Sequence, residues 1–243
     1  GYAAIVVRST TQVDREALAN LPRLRLIGCA GVGTDNVDLD EAALRGIAVV
    51  NTPEANVVSA AEHTLALLLA VARRIVDADL SMKAGRWDRE ELRGVELAGR
   101  TLGIVGLGRV GSRVAVRARA FEMNVVACDP YVGAERFASV AARRVGFTEL
   151  LEVADVVTFH VPLTAETRHM LDGAALERLR PGAMVINAAR GAVVDETALL
   201  RALDRGQVAG AGIDVFEVEP VSQGSRLATH PRVVATPHLG ART

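Results

Sequence analysis

Three side chains of complementary chemistry stand near the C-terminal end of the sequence. They are Arg190 in NAARGAVVDE, Glu219 in DVFEVEP and His238 in TPHLGA. A guanidinium is a fixed planar cation whose fork matches a carboxylate. An imidazole takes and returns a proton near neutral pH. A carboxylate beside that imidazole would orient the ring and stabilise its charged form. Together the three groups could hold a small organic anion and move a proton on it. Position alone leaves plainer readings open. Arg190 before Gly191 could cap a strand end, Glu219 before Pro220 could belong to a turn, and His238 after Pro237 could lie in a surface loop. Among the other histidines, His160 ends an apolar run and could line a cleft. His63 lies in a strongly apolar helical stretch, and His169 and His230 fall in polar connections.

A second constellation lies upstream, in TLGIVGLGRVGSRVA, where Gly106, Gly108 and Gly111 have the G-x-G-x-x-G spacing. The spacing is weak evidence by itself, but here it follows an apolar strand and opens an amphipathic helix. Gly106 allows a tight turn, Gly108 lets a pyrophosphate approach the backbone, and Gly111 lets helix and strand pack closely. The helix N-terminus then offers unpaired N–H groups and the positive end of its dipole to phosphates. Asp129 ends the next apolar run and could accept hydrogen bonds from ribose hydroxyls. It would repel a 2′-phosphate, which favours NAD over NADP. The plainer alternatives are a strand–helix turn with no ligand and a turn acid ahead of Pro130. With a nicotinamide as hydride acceptor, the first three residues acquire a common purpose. Removing a hydride from a hydroxy acid needs a cation for the carboxylate, a base for the hydroxyl proton and a group that sets that base's pKa.

Elements must bring these residues together. Apolar runs at residues 101–105, 124–128, 155–160, 183–187, 209–214 and 233–236 alternate with helical patterns at 110–121, 147–153, 173–179 and 196–205. That rhythm predicts an α/β fold, a doubly wound parallel sheet of the dinucleotide-binding (Rossmann) kind. Ligands of such sheets sit past the carboxyl ends of the strands, where Arg190, Glu219 and His238 all fall. An earlier section has three short apolar runs, 3–7, 24–29 and 48–50, separated by helical patterns at 14–20 and 38–45. Three strands make a thin sheet. We therefore divide the chain into a partial domain at 1–52 and a dinucleotide-binding domain at 53–243. Between the two patterns, a continuous helix is predicted over 57–83. Leu65, Leu68, Leu69 and Ala72 line one side of it, and Leu67, Ala70 and Val71 the other. A helix apolar nearly all round is buried in a fold or against another subunit, which points to a homodimer.

Bulk properties narrow the field. Of 243 residues, 50% are hydrophobic and 23% charged, the balance of a globular protein, and the formal net charge is −1. No basic run marks a nucleic-acid partner. The longest apolar run, Thr64 to Ala72, is far short of the ~20 residues a bilayer span needs. The two cysteines, Cys29 and Cys128, are too few and too far apart for a zinc site or disulfide framework, and no metal is expected. They read as buried free thiols, in keeping with a cytoplasmic location. The start, GYAAIVVRST, has no charged stretch ahead of its apolar residues and reads as a strand rather than a signal peptide, with more chain expected upstream.

These segments, with VVRSTTQVD and GCAGVGTDNVDLDEAALRGIAVVNTPEANVVSAAEHTLALLLAVAR, resemble the D-2-hydroxyacid dehydrogenase family over nearly the whole chain. The resemblance is strongest to members acting on a phosphorylated acid, 3-phosphoglycerate. It implies NAD as cofactor and a flavodoxin-like α/β substrate domain, of which residues 1–52 would be an incomplete part. It implies Arg190, Glu219 and His238 as the catalytic trio, with His238 as acid/base. It implies cofactor contacts at Val32, Arg109, Val110, Asp129, Val161, Ala188, Ala189, Arg190, Asp214, His238 and Gly240. Substrate contacts would come from the loop at Gly31, Val32 and Gly33, through its backbone N–H groups, and from Arg8 and Asn56 toward a phosphate. Two other readings stay open: reduction of a different 2-keto acid, and a non-catalytic NAD-sensing protein. The intact trio argues against the second.

Overall fold

The computed structural model describes residues 1–8 and 11–243, so Ser9 and Thr10 of VVRSTTQVD lie outside the described residues. The chain forms two compact units, Gly1–Val58 and Ser59–Thr243.

The first unit is a three-stranded parallel sheet, in the order β1 (Ala4–Val7), β2 (Leu26–Cys29), β3 (Ala48–Asn51). Its crossovers carry helices α1 (Arg15–Ala19) and α2 (Leu39–Leu44). Each helix begins at an aspartate. The Asp14 carboxylate accepts from Ala17 N at 2.8 Å, and the Asp38 carboxylate accepts from Glu41 N at 2.9 Å. Such caps satisfy amides that a helix start otherwise leaves open. Leu18, Ile27, Val37 and Ala42 fill the core. Val6 and Val50 remain largely exposed.

The second unit holds a seven-stranded, wholly parallel sheet. Its strands are β4 (Thr101–Val105), β5 (Asn124–Cys128), β6 (Arg143–Arg144), β7 (Val156–Phe159), β8 (Ala183–Asn187), β9 (Val208–Ile213) and β10 (Val233–Ala235). The order β10-β9-β8-β7-β4-β5-β6 reverses direction between β4 and β7. That reversal opens a crevice at the strands' carboxyl ends. The central strands β4, β7, β8 and β9 are almost wholly buried, as their nearly unbroken apolar character requires. Every residue of β7 and β8 is buried.

Helices α5 (Arg109–Ala120), α7 (Phe147–Val153), α8 (Gly173–Glu177) and α9 (Glu196–Asp204) fall within a few residues of the sequence pattern. The short α6 (Ala134–Ser139) and β6 carry too few apolar residues to announce themselves.

The helix predicted over 57–83 is instead two: α3 (Val57–Ala72) and α4 (Ile75–Lys83). Arg74 between them is left-handed, with φ of 51°. Its guanidinium reaches Asp77 at 2.9 Å and also bonds the Glu91 carbonyl. The Ala72 carbonyl is taken by Val95 N at 2.8 Å, and Gly94 passes so close that a Cβ there would lie 2.6 Å from the same oxygen. A returning segment thus closes the end of α3, which apolar periodicity alone does not reveal. α3 itself lies on the sheet, with Leu67 over Gly212 and Val71 over Gly210.

Candidate active site

The turn after β4 has the geometry of an anion-binding strand–helix junction. Gly106 has φ of +91°, and a Cβ there would lie 2.6 Å from the His160 carbonyl oxygen. A Cβ at Gly111 would overlap the Gly106 carbonyl oxygen. Gly108 differs, because a Cβ there would meet nothing within 4 Å. It faces open space in front of α5, whose first capping bond runs from Ser112 N to the Gly108 carbonyl. The amides of Arg109, Val110 and Gly111 precede that bond and have no carbonyl behind them within the helix.

Asp129 closes the turn from the side. One of its oxygens accepts from Leu107 N at 2.8 Å and the other from Tyr131 N at 2.9 Å. Each oxygen keeps a lone pair that a ribose hydroxyl could use. The carboxylate is therefore both a turn acid and a candidate ribose ligand. A helix start, an open space in front of it and a ribose acceptor in this order fit a dinucleotide. Val161 stands against Gly106, and Ala188 and Ala189 are half-buried at the end of β8. Packing around His160 pushes its imidazole down to about 4, although the residue keeps some exposed surface. It is therefore neutral in the crevice and donates or accepts there without carrying charge.

Arg190, Glu219 and His238 follow β8, β9 and β10 respectively. His238 Nδ1 lies 2.7 Å from Glu219 Oε2, with both side chains about one-third exposed. The other Glu219 oxygen accepts from Phe216 N at 2.9 Å. The hydrogen bond to Glu219 holds the His238 pKa above its ordinary value, and the Arg190 charge works in the opposite direction. For Glu219, burial pushes the carboxyl up. The bonds from His238 and Phe216 together outweigh that and leave it below the ordinary range. With Nδ1 engaged, Nε2 of His238 is the nitrogen left to exchange a proton with a ligand.

The Arg190 loop is tied from beneath by Asn187. Its side chain donates to the Arg190 carbonyl at 3.0 Å and accepts from Ala189 N at 3.1 Å. Gly191 abuts Phe216 so closely that a Cβ would overlap the Phe216 carbonyl group. The loops bearing Arg190 and Glu219 are thereby interlocked through backbone.

Asp214, singled out as a cofactor contact, is wholly buried. Its carboxylate accepts from Thr236 Oγ1 (2.6 Å), Leu239 N (2.7 Å) and Gly240 N (2.9 Å), and its carbonyl accepts from His238 N (2.9 Å). It clasps the loop that presents His238 in a left-handed conformation, φ 55°. His63 on α3 completes the clasp, with Nε2 at 3.1 Å from both Thr236 Oγ1 and Asp214 Oδ1. Neither His63 nor Thr236 was signalled by the sequence, because a histidine within an apolar helix looks the same whether or not a loop lands on it.

In the first unit, Arg8 is exposed at the end of β1 and Asn56 is half-buried. The loop of Gly31, Val32 and Gly33 departs from expectation in one respect. Gly31 N is spent on the Cys29 carbonyl at 2.9 Å, and Ala30 N on that of Val7. Among the described residues, that leaves the amides of Val32 and Gly33 for a ligand. Cys29 is buried and Cys128 half-buried, both as free thiols. Among the described residues, no cluster of His, Cys, Asp or Glu could hold a metal, and no helix is long and apolar enough to cross a membrane.

The fold and the turn define a dinucleotide-binding domain. Residues 65–240 match the family described as "D-isomer specific 2-hydroxyacid dehydrogenase, NAD binding domain", and the chain belongs to that family. Its cofactor is NAD. The whole chain is 49% identical to D-3-phosphoglycerate dehydrogenase of Archaeoglobus fulgidus and 47% identical to that of Bacillus subtilis. It spans 46% of each, about half the length of these curated relatives. Among solved structures, the TT0316 protein from Thermus thermophilus superimposes with a TM-score of 0.92 at 41% identity, over 100% of this chain and 77% of that one. D-lactate dehydrogenase from Aquifex aeolicus, complexed with NAD and lactic acid, gives 0.90 at 35% identity, over 99% and 77%.

Proposed function

We propose that the protein oxidises D-3-phosphoglycerate to 3-phosphohydroxypyruvate with NAD, the activity named for its curated relatives. The observation that carries the reading is the Glu219–His238 pair, held at 2.7 Å past the ends of two parallel strands, with the Arg190 charge bearing on the same imidazole. When bound, NAD would supply the hydride acceptor. Gly106, Gly108, Arg109, Val110 and Gly111 would hold its pyrophosphate, and Asp129 its ribose. Val161, Ala188, Ala189, Asp214 and Gly240 would belong to the same cofactor site. Arg190 receives the substrate carboxylate, His238 Nε2 takes the hydroxyl proton, and Glu219 stabilises the imidazolium that results. On this reading residues 1–52 belong to a substrate-binding domain and 53–243 to the NAD-binding domain. Arg8, Gly31, Val32, Gly33 and Asn56 are assigned to the acid. The protein works in the cytoplasm as a homodimer. Exposed Ile75, Leu80, Met82 and Trp87 on and after α4 support a subunit contact.

A second reading keeps the chemistry but changes the acid to an unphosphorylated 2-keto acid. The likeness to D-lactate dehydrogenase of Aquifex aeolicus favours it. NAD reduction against a panel of D-2-hydroxy acids, with and without a 3-phosphate, separates the two. Arg8→Ala should raise KM for phosphoglycerate about tenfold or more and spare unphosphorylated acids. Equal effects on both would remove the phosphate role.

A further inference from the structure

Behind Glu219 lies a second pair of carboxylates that the proposed mechanism does not use. Glu196 is the first residue of α9, and Glu217 is two residues before Glu219. The Glu196 side chain accepts from Glu217 N at 2.6 Å, and the Glu217 side chain accepts from Glu196 N at 3.1 Å. Each carboxylate thus bonds the other residue's amide. The arrangement is a closed ring of two hydrogen bonds that fixes the 216–219 segment to the start of a helix. Charged acceptors make such bonds stronger than neutral ones.

On the far side of the clamp His169 has φ of 50°, and its buried Nε2 lies 3.2 Å from Glu217 Oε1 without hydrogen-bonding to it. His169 N donates to the Ala192 carbonyl, Leu171 N to that of Val193, and Asp195 N to that of Leu171. Three loops are thereby stacked: 169–171, 191–196 and 216–219. The first of these steadies the second, the second directly follows Arg190, and the third carries Glu219 at its end.

The arrangement is electrostatically costly. Burial raises the Glu196 pKa most, the bond from Glu217 N lowers it, and the neighbouring charges of Glu217 and Glu219 raise it, so that it stays above the ordinary value. Two carboxylates so close to a third oppose ionisation unless their hydrogen bonds offset the repulsion. A surface turn that needed only to be ordered could use a neutral acceptor. We propose that Glu196 is a positioning residue, which through its reciprocal clamp with Glu217 fixes the Glu219 carboxylate against His238. The inference rests on the reading of Glu219 and His238 given above.

The direct test does not require turnover. In ¹⁵N-histidine-labelled full-length protein, His238 is assigned by loss of its signal in His238→Gln, and its titration midpoint is followed by NMR. The charged groups facing Glu196 are Glu217 and Glu219, with His169 beside Glu217, and those facing His238 are Glu219, Asp214 and Arg190. Glu196→Ala removes both charge and clamp, and the His238 midpoint should fall by about half a pH unit or more. Glu196→Gln keeps an acceptor for Glu217 N and removes only charge, so the midpoint should fall by less than half as much. With NAD and substrate, kcat should drop about tenfold in Glu196→Ala and stay within about twofold in Glu196→Gln, with KM for NAD unchanged in both.

A His238 midpoint identical in wild type and Glu196→Ala would overturn the proposal. So would equal shifts in the two variants, since that outcome is a charge effect with no clamp. A variant that only melts earlier, with the titration unmoved, would assign Glu196 to stability alone and also overturn it. If the wild type oxidises no D-2-hydroxy acid, the proposed function fails, and the titration still decides the clamp.

Discussion

The two ends of the crevice are built on opposite plans. At β4 and β5 the proposed ligand surface is backbone: a turn with an open space at Gly108, three amides at the start of α5, and one carboxylate, Asp129, tied to Leu107 N. At β8, β9 and β10 the surface is side chain: Arg190, Glu219 and His238, each on a separate loop. Backbone amides are placed by the fold itself, so the first end needs only small residues at three positions. Side chains on loops must be held from behind, and the second end spends Asn187, Asp214, Thr236, His63, Glu196 and Glu217 on that task. Binding can be written in a short motif, whereas chemistry draws on a wider and sequence-scattered support.

The contrast predicts that the two ends fail differently. The largest effect should come from His238→Gln. General acid–base catalysis is worth about 10²–10⁴-fold, so kcat should fall by that factor. NAD affinity, measured by calorimetry, should stay within about twofold, because the residues proposed to hold the cofactor's phosphates and ribose lie at the other end. Unchanged turnover would sink the assignment of His238 as acid/base.

Glu219→Gln is next, and its signature is a pH shift. Oxidation of a hydroxy acid needs His238 neutral. The folded midpoint of His238 lies above 6.5, so kcat/KM should climb as pH rises through that higher midpoint. Removing the Glu219 charge should bring the midpoint back toward 6.5, with kcat lower by about tenfold or more. The reverse reduction needs the protonated form, so its rate should fall over the same window. The ion pair also contributes stability. A raised histidine pKa stabilises the fold below pH 6.5, and that contribution is lost as pH climbs through the folded midpoint. The groups are one-third exposed, so the stability effect is small.

Asp129→Ala tests the other end. Loss of a ribose acceptor should weaken NAD binding about tenfold, with kcat at saturating NAD nearly unchanged. The same variant should narrow the preference for NAD over NADP, since the repulsion of a 2′-phosphate goes with the charge. A large fall in kcat with binding intact would mean that the two ends are not separable.

Much of this was legible in the sequence. Gly106, Gly108, Gly111 and Asp129 announce themselves because the physics of a tight turn at a helix start admits few residue types. The alternation of apolar runs with helical periodicity gave the parallel sheet, because strands buried on both faces must be apolar throughout. Arg190, Glu219 and His238 could be placed at strand ends, but their convergence could not be derived from position. The break at Arg74 was hidden because it depends on Gly94 and Val95 returning to the end of α3. The hold of Asp214 on the loop bearing His238 was hidden too, since an acid at a strand end does not announce which amides it will accept from.

His63 probes that hidden support with the smallest expected effect. His63→Leu keeps the apolar character and approximate size that α3 presents, so packing against β9 survives. What it removes is one donor near Asp214, whose carboxylate keeps Thr236 Oγ1 and two loop amides. Loss of one bond to a buried charged acceptor costs about 1–3 kcal/mol, visible as a lower melting temperature. The loop that presents His238 should then sample more conformations, lowering kcat only a few-fold while NAD affinity holds, because the binding amides of α5 lie on a different element. Turnover and melting both equal to wild type would show that Thr236 and the loop amides hold Asp214 unaided, and that the helix beneath is support for the sheet alone.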